Sequence, residues 1–254
     1  MGQQSNQDGL YGLNAVLPPR RLSVGDNAEA HGALGGHGLR VSLYSYILAR
    51  QYGLDEEHCE RLRRAAAFHD IGKSTLPKEL LAKPGRLTHA ERLEVQSHTV
   101  RGYKLLQGSN SPTLREASVI ALCHHEHVDG SGYPHGRTGA EIPLVARITS
   151  VTDVYDALTS HRVYRAALDE DEVLLLIDEG RGSHFDSRVV DALFEALERY
   201  PGLGDCVRQL TEDTPDVDHS TLHTRDLDEG QTQEAVSWLE QWRRPDRDWT
   251  DFHF

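Results

Sequence analysis

Leu144, Ile148, Val151, Tyr155 and Leu158 fall at offsets of 0, 4, 7, 11 and 14 residues, an apolar stripe that a helix of 3.6 residues per turn gathers on one face. The same signal recurs along the chain. Val41, Tyr44 and Leu48 predict a helix from about His37 to Gly53, and Leu62 with Ala65–Phe68 predicts a second that starts at Asp55 and stops by Gly72. Thr88 and Glu91 make a capping-box pattern for a helix through Val95, His98 and Leu105; Thr113 and Glu116 repeat it for a helix ending near His124 and His125. Two further helices are expected at about 169–179 and 186–199, and no alternating strand pattern competes with any of them. The expected fold is all-α.

The 254 residues allow one full domain with extensions. Residues 1–30 are rich in Gln, Asn, Gly, Pro and Arg without periodicity and read as an N-terminal arm; residues 31–200 carry the helical pattern. Residues 201–254 hold thirteen acidic against five basic residues and all three tryptophans. There Val236, Trp238, Leu239 and Trp242 suit one short amphipathic helix, which either packs back on the domain or meets a partner or the equivalent tail of a homodimer. No apolar run exceeds five residues, as in Val173–Ile177, far short of the roughly 18–20 a membrane span needs. The N-terminus has no signal-peptide pattern, so the cytoplasm is the expected compartment. No sensory domain is read ahead of the helical region, and regulation is expected from partners, metal or redox state, or the extensions. A formal charge of −13 argues against nucleic-acid polymers as partners. Cys59, Cys123 and Cys206 show no CxxC spacing and are expected to be reduced and buried.

The chemistry lies in the fifteen histidines. His37, His69, His98, His124 and His125, with Asp70 and Asp153, sit at expected helix ends or mid-helix. Burying that many ionisable groups costs several kcal/mol each unless they are compensated, and coordination to a cation compensates them. Imidazole and carboxylate donors without thiolate suit iron or manganese rather than structural zinc. Neighbouring side chains on a helix point about 100° apart, but at a frayed end His124 and His125 can converge. The two oxygens of Asp70 can bridge two cations, and a water between such cations becomes a nucleophile near neutral pH. That geometry suits attack on a phosphodiester.

His69-Asp70-Ile71-Gly72-Lys73, then His98, then His124-His125-Glu126 followed by Asp129-Gly-Ser-Gly-Tyr-Pro134, and finally the run from Asp153 to Arg162 resemble the HD-GYP family of bacterial cyclic di-GMP phosphodiesterases over about residues 35–200. The intervals match as well: 32 residues from His37 to His69, 29 to His98, 26 to His124, and 28 from His125 to Asp153. The resemblance implies an HD-superfamily helical bundle with two divalent ions, iron or manganese, at its centre. It implies that His37, His69, Asp70 and Asp153 hold one ion and that Asp70, His98, His124 and His125 hold the other. Asp70 and Lys73 then serve catalysis, while Lys73, Arg162 and Arg165 meet the substrate phosphates. The Gly132-Tyr133-Pro134 loop is implied to flank the site and touch diguanylate cyclase (GGDEF) domains, although the same residues suit a plain turn. His184 reads as structural. Members with a third metal carry a glutamate four residues before the first histidine; here that position is Ala33, and only a fold-back of Glu29 would replace it, so two ions are expected. The implied reaction opens cyclic di-GMP to pGpG and onward to GMP. Two alternatives stay open: an HD phosphohydrolase for another cyclic dinucleotide or nucleotide, and a non-catalytic adaptor for cyclase domains, which would tolerate lost ligands where this chain has none.

Overall fold

The computed structural model describes residues 28–160 and 167–211, of which the side chains from Gly36 onward are placed. Ten α-helices run through these residues: α1 (Ala28–Tyr52), α2 (Glu56–Ala66), α3 (Lys78–Leu81), α4 (His89–Gln96), α5 (His98–Leu106), α6 (Pro112–Cys123), α7 (Leu144–Thr159), α8 (Glu170–Glu179), α9 (Ser187–Arg199) and α10 (Leu203–Leu210). Among the described residues there is no strand, only the isolated bridges Asp129–Thr138 and Arg181–Phe185. The all-α expectation holds.

Most helix starts follow from local chemistry. Asp55 caps α2 by accepting from the His58 amide at 2.9 Å, Thr88 and Glu91 form the expected capping box of α4, and Asp186 caps α9. The second expected capping box is absent. Helix α6 starts at Pro112 after Ser111, because proline's missing N–H costs nothing at the first helical position. Glu116 is drawn inward instead to meet Arg61 Nε at 3.1 Å. Three other boundaries differ. Helix α1 opens at Ala28, so it crosses the expected limit of the N-terminal arm and runs through the glycines 32, 35 and 36. The helix expected over 88–105 is offset at Ser97, whose hydroxyl donates to the Glu94 carbonyl and competes with the helical bond there. Helix α2 stops at Ala66, leaving His69 and Asp70 in a turn ahead of a 3₁₀ segment, Ile71–Thr75.

The core lies where α1 packs on α2, α7 and α9, with α6 against α2 and α5. Tyr44, Ile47, Leu48, Leu62, Ile120, Ile148, Val151 and Leu193 are fully buried there, and each contributes on the order of 1.5–3 kcal/mol of burial. Cys59, Cys123 and Cys206 are free and buried, as expected. Helix α10 buries Leu203, Cys206 and Val207 and contacts α1. The helical body therefore continues past residue 200.

Candidate metal centre

Five elements converge beside the middle turns of α1 and α7. His37 comes from α1, His69 and Asp70 from the turn after α2, His98 from the first residue of α5, His124 and His125 from the end of α6, and Asp153 from α7. Gly72 makes the approach possible: a Cβ there would lie 1.9 Å from the His98 carbonyl oxygen. His124 is the C-cap that follows α6, and beyond it the backbone turns away, which lets the rings of His124 and His125 lie 4.0 Å apart at 41°.

One ligand atom each from Asp70, His98, His124 and His125 falls within 4.8 Å of the others, and so does one from each of His37, His69 and Asp70. Asp70 belongs to both groups, and its oxygens divide between them. Oδ1 faces His98 Nε2 at 3.3 Å and His124 Nε2 at 3.7 Å, while Oδ2 faces His69 Nε2 at 3.4 Å and the Lys73 ammonium. Asp153 Oδ1 faces His37 Nε2 at 3.1 Å and His69 Nε2 at 3.7 Å.

The donor atoms are aimed and unspent. His69 Nδ1 meets the Ala66 carbonyl at 3.0 Å, His98 Nδ1 the Val95 carbonyl at 2.7 Å and His124 Nδ1 the Ile120 carbonyl at 3.0 Å. A carbonyl only accepts, so each Nδ1 carries the proton and each Nε2 keeps a lone pair directed into the cluster. Those same Nε2 atoms of His69, His98 and His124, and Asp70 Oδ1, are buried without a hydrogen-bond partner. Buried polar atoms are nearly always paired, so four unpaired acceptors gathered at and around Asp70, in two groups, fit cations. Burial holds His98 down at about 3, and burial with the neighbouring His124 holds His125 well below its usual range. Asp70 stays ionised despite burial, because the neighbouring Lys73 ammonium holds its carboxyl well below the usual range. Neutral imidazoles beside ionised carboxylates are the protonation states that metal ligation needs. His37 is the exception: burial would lower it, but hydrogen bonds to Asp153 and Asp156 override that and raise it to about 9.

Lys73 stands at the rim, half-buried and paired with Asp70. Arg162 and Arg165 lie outside the described residues. The Gly132-Tyr133-Pro134 loop folds over the centre: the Tyr133 amide donates to the His125 carbonyl at 3.0 Å, and its ring stacks on His125 at 4.8 Å and 27°. A Cβ on Gly132 would lie 2.3 Å from the His127 amide nitrogen. His184 packs between His127 at 3.7 Å and Phe185 at 4.0 Å, away from the cluster of ligand atoms. Two residues were not singled out from sequence. Glu126, buried, accepts from the His135 and Arg137 amides at 2.9 and 3.0 Å and so shapes the loop. Asp156, fully buried, accepts from His37 Nδ1 at 2.7 Å. The only sequence trace of either was its place inside a quoted motif.

Fold and centre together define an all-helical protein built round a histidine–aspartate cluster for divalent cations. The HD domain family model matches residues 26–189. The chain belongs to the HD domain family, as its HD-GYP motifs implied. It is 46% identical over 154 residues, 61% of its length, to the cyclic di-GMP phosphodiesterase response regulator RpfG of Xanthomonas campestris pv. campestris, of which it covers 41%. It is 36% identical over 166 residues, 65% of its length, to the 3'3'-cGAMP-specific phosphodiesterase 2 of Vibrio cholerae, of which it covers 32%. The chain thus spans less than half the length of these two relatives. Among solved structures, a cyclic GMP-AMP-specific phosphodiesterase of V. cholerae superposes with a TM-score of 0.56 at 17% identity, covering 84% of this chain and 57% of that one, a likeness of fold.

Proposed function

We propose that the chain is a cytoplasmic, metal-dependent phosphodiesterase that opens the ring of cyclic di-GMP to pGpG. The observation that carries this reading is the convergence of unpaired buried acceptors on the two oxygens of Asp70, one set on each side. In it, His37, His69, Asp70 and Asp153 hold one divalent ion, and Asp70, His98, His124 and His125 hold a second; iron and manganese suit the donors. When bound, such a pair supplies Lewis acidity and lowers the pKa of a shared water.

The chain's own residues do the rest. The Nδ1–H bonds to Ala66, Val95 and Ile120 keep three imidazoles in the ligating tautomer. Asp70 keeps its negative charge between the two ligand groups, where like charges would otherwise repel. Lys73 is close enough to the centre to place an ammonium on a non-bridging phosphate oxygen, and Arg162 and Arg165 are assigned the same task, since charge grows on those oxygens during in-line displacement. Tyr133, stacked on His125, forms one wall of the centre.

Relatives named for cyclic di-GMP and for 3'3'-cGAMP are both similar to this chain, so 3'3'-cGAMP is the second reading. Incubating the manganese-loaded and iron-loaded full chain with each dinucleotide and separating the products by chromatography distinguishes them. Cyclic di-GMP turned over at least tenfold faster, with pGpG accumulating, supports the proposal; preferential turnover of 3'3'-cGAMP replaces the substrate, and no turnover of either by fully loaded protein removes the enzymatic reading. With alanine at position 33, about two metals per chain are expected, and three would correct the ligand set.

A further inference from the structure

We propose that Asp156 is a positioning residue for the His37 side of the centre, so that the two metal subsites are unequal and only the first depends on a carboxylate held by Arg40. This rests on the ligand assignment above and deepens it.

Helix α7 presents Asp153 and Asp156 three residues apart, which places both on one face, and they take the two nitrogens of one ring: Asp153 Oδ1 lies 3.1 Å from His37 Nε2, and Asp156 Oδ2 lies 2.7 Å from Nδ1. Their surroundings separate their roles. Both oxygens of Asp156 are already engaged, Oδ1 by Arg40 Nε at 2.7 Å and the Ser160 hydroxyl at 3.2 Å, Oδ2 by His37 and by a second Arg40 nitrogen at 3.1 Å. Its side chain is fully buried. Asp153 has no such lock, and its Oδ1 faces the ring nitrogens of His37 and His69. Asp153 is thus free to ligate, whereas Asp156 can only orient. A carboxylate behind an imidazole fixes the ring and makes the far nitrogen a stronger donor than a backbone carbonyl does. His69, His98 and His124 all rest on carbonyls of their own turn; among these four ligands His37 alone is backed by a charged group, and that group comes from another helix.

The test titrates the metal-free full chain with manganese alone, reading stoichiometry by elemental analysis and affinity by competition with a chelator. Wild type is expected to take up two ions. Asp156→Asn, which keeps the shape, should weaken one of the two by about 10–100-fold and leave the other unchanged. In a His37→Ala background the same substitution should change nothing further, since both act on one subsite. Arg40→Gln, which leaves His37 and Asp156 in place but frees the carboxylate to turn, should weaken the same ion several-fold, and it serves if Asp156→Asn does not fold. Two wild-type affinities in a folded Asp156→Asn or Arg40→Gln chain, equal loss at both subsites, or the same loss with and without His37 would each overturn the proposal. A wild-type chain that takes up no manganese would instead overturn the ligand assignment beneath it.

Discussion

A methyl group at position 72 would have to occupy space 1.9 Å from the His98 carbonyl and 2.6 Å from the Gly102 amide nitrogen, both main-chain atoms that cannot swing aside. Gly72→Ala is therefore expected to lose at least the 1–3 kcal/mol typical of overpacking and to shift His98, which denaturant melts and manganese titration would show together; unchanged values for both would contradict the packing described. Asp70→Ala should remove both ions and abolish hydrolysis, because its two oxygens serve the two groups of imidazoles, and elemental analysis beside a turnover assay checks it. Lys73→Ala should keep the metal content and lower turnover by about 100-fold, the usual loss for one charge-stabilising donor; an emptied centre would make Lys73 a support for Asp70 rather than a contact for substrate. At this scale the sequence was most informative about groups whose residue type announces chemistry. His69, Asp70, His124 and His125 were legible because histidines beside carboxylates at helix ends ask for compensation. Asp156 and Arg40 were not: a carboxylate that backs a histidine 119 residues away leaves no local signal, and an arginine in a helix reads as surface.

Among the helices, the contact of α2 with α6 carries a charge that the sequence pattern misassigned. Glu116 followed Thr113 at capping spacing, yet the helix begins at Pro112, which puts Thr113 inside it rather than at its cap, and the Glu116 side chain turns inward to Arg61. Burial raises the Glu116 carboxyl to about 7, Arg61 opposing but not cancelling it. The folded state thus holds the proton more tightly than the unfolded chain, whose carboxyl titrates near 4.5. The resulting stability is fully present below that lower value and is lost as pH rises through about 7. Glu116→Gln should flatten the fall in melting temperature between pH 5 and pH 8 relative to wild type; identical pH profiles would show that the pair is solvated. Apolar periodicity revealed α1, α2, α7, α8 and α9 because each has one face on the core. It overran at Ser97, where a hydroxyl takes the Glu94 carbonyl, and after Ala66, where the chain turns into the 3₁₀ segment.

For the molecule as a whole, the ligands come from five segments spread between His37 and Asp153, so cations bound there would together tie α1, α5, α6 and α7 to the turn after α2. An ion that binds only the folded chain stabilises it by about 2.7 kcal/mol at a hundred times its dissociation constant. Exhaustive chelation should lower the melting temperature by several degrees and added manganese should restore it; a melt indifferent to chelation would mean that the cluster holds no ion. The helical body reaches Thr211 through α10, whose Leu203 and Val207 are buried, so a chain cut after residue 200 is expected to melt lower than one cut after residue 211. The expectation that Trp238 and Trp242 pack on the domain falls on residues outside those described. Composition marked that segment as different, and its one short apolar stripe from Val236 to Trp242 does not say which helix it would meet.

Three of the ligand imidazoles are aimed by carbonyls within their own turn of chain, so their orientation follows from local backbone and needs no ion to induce it. Metallation is then an exchange reaction on a finished scaffold. Imidazoles aimed in advance offer an arriving ion a fixed set of nitrogen and oxygen donors, so donor type, spacing and supply, rather than raw affinity, would decide which first-row ion is taken. A change in the ion supplied would then leave the helices as they are and be felt only at the centre.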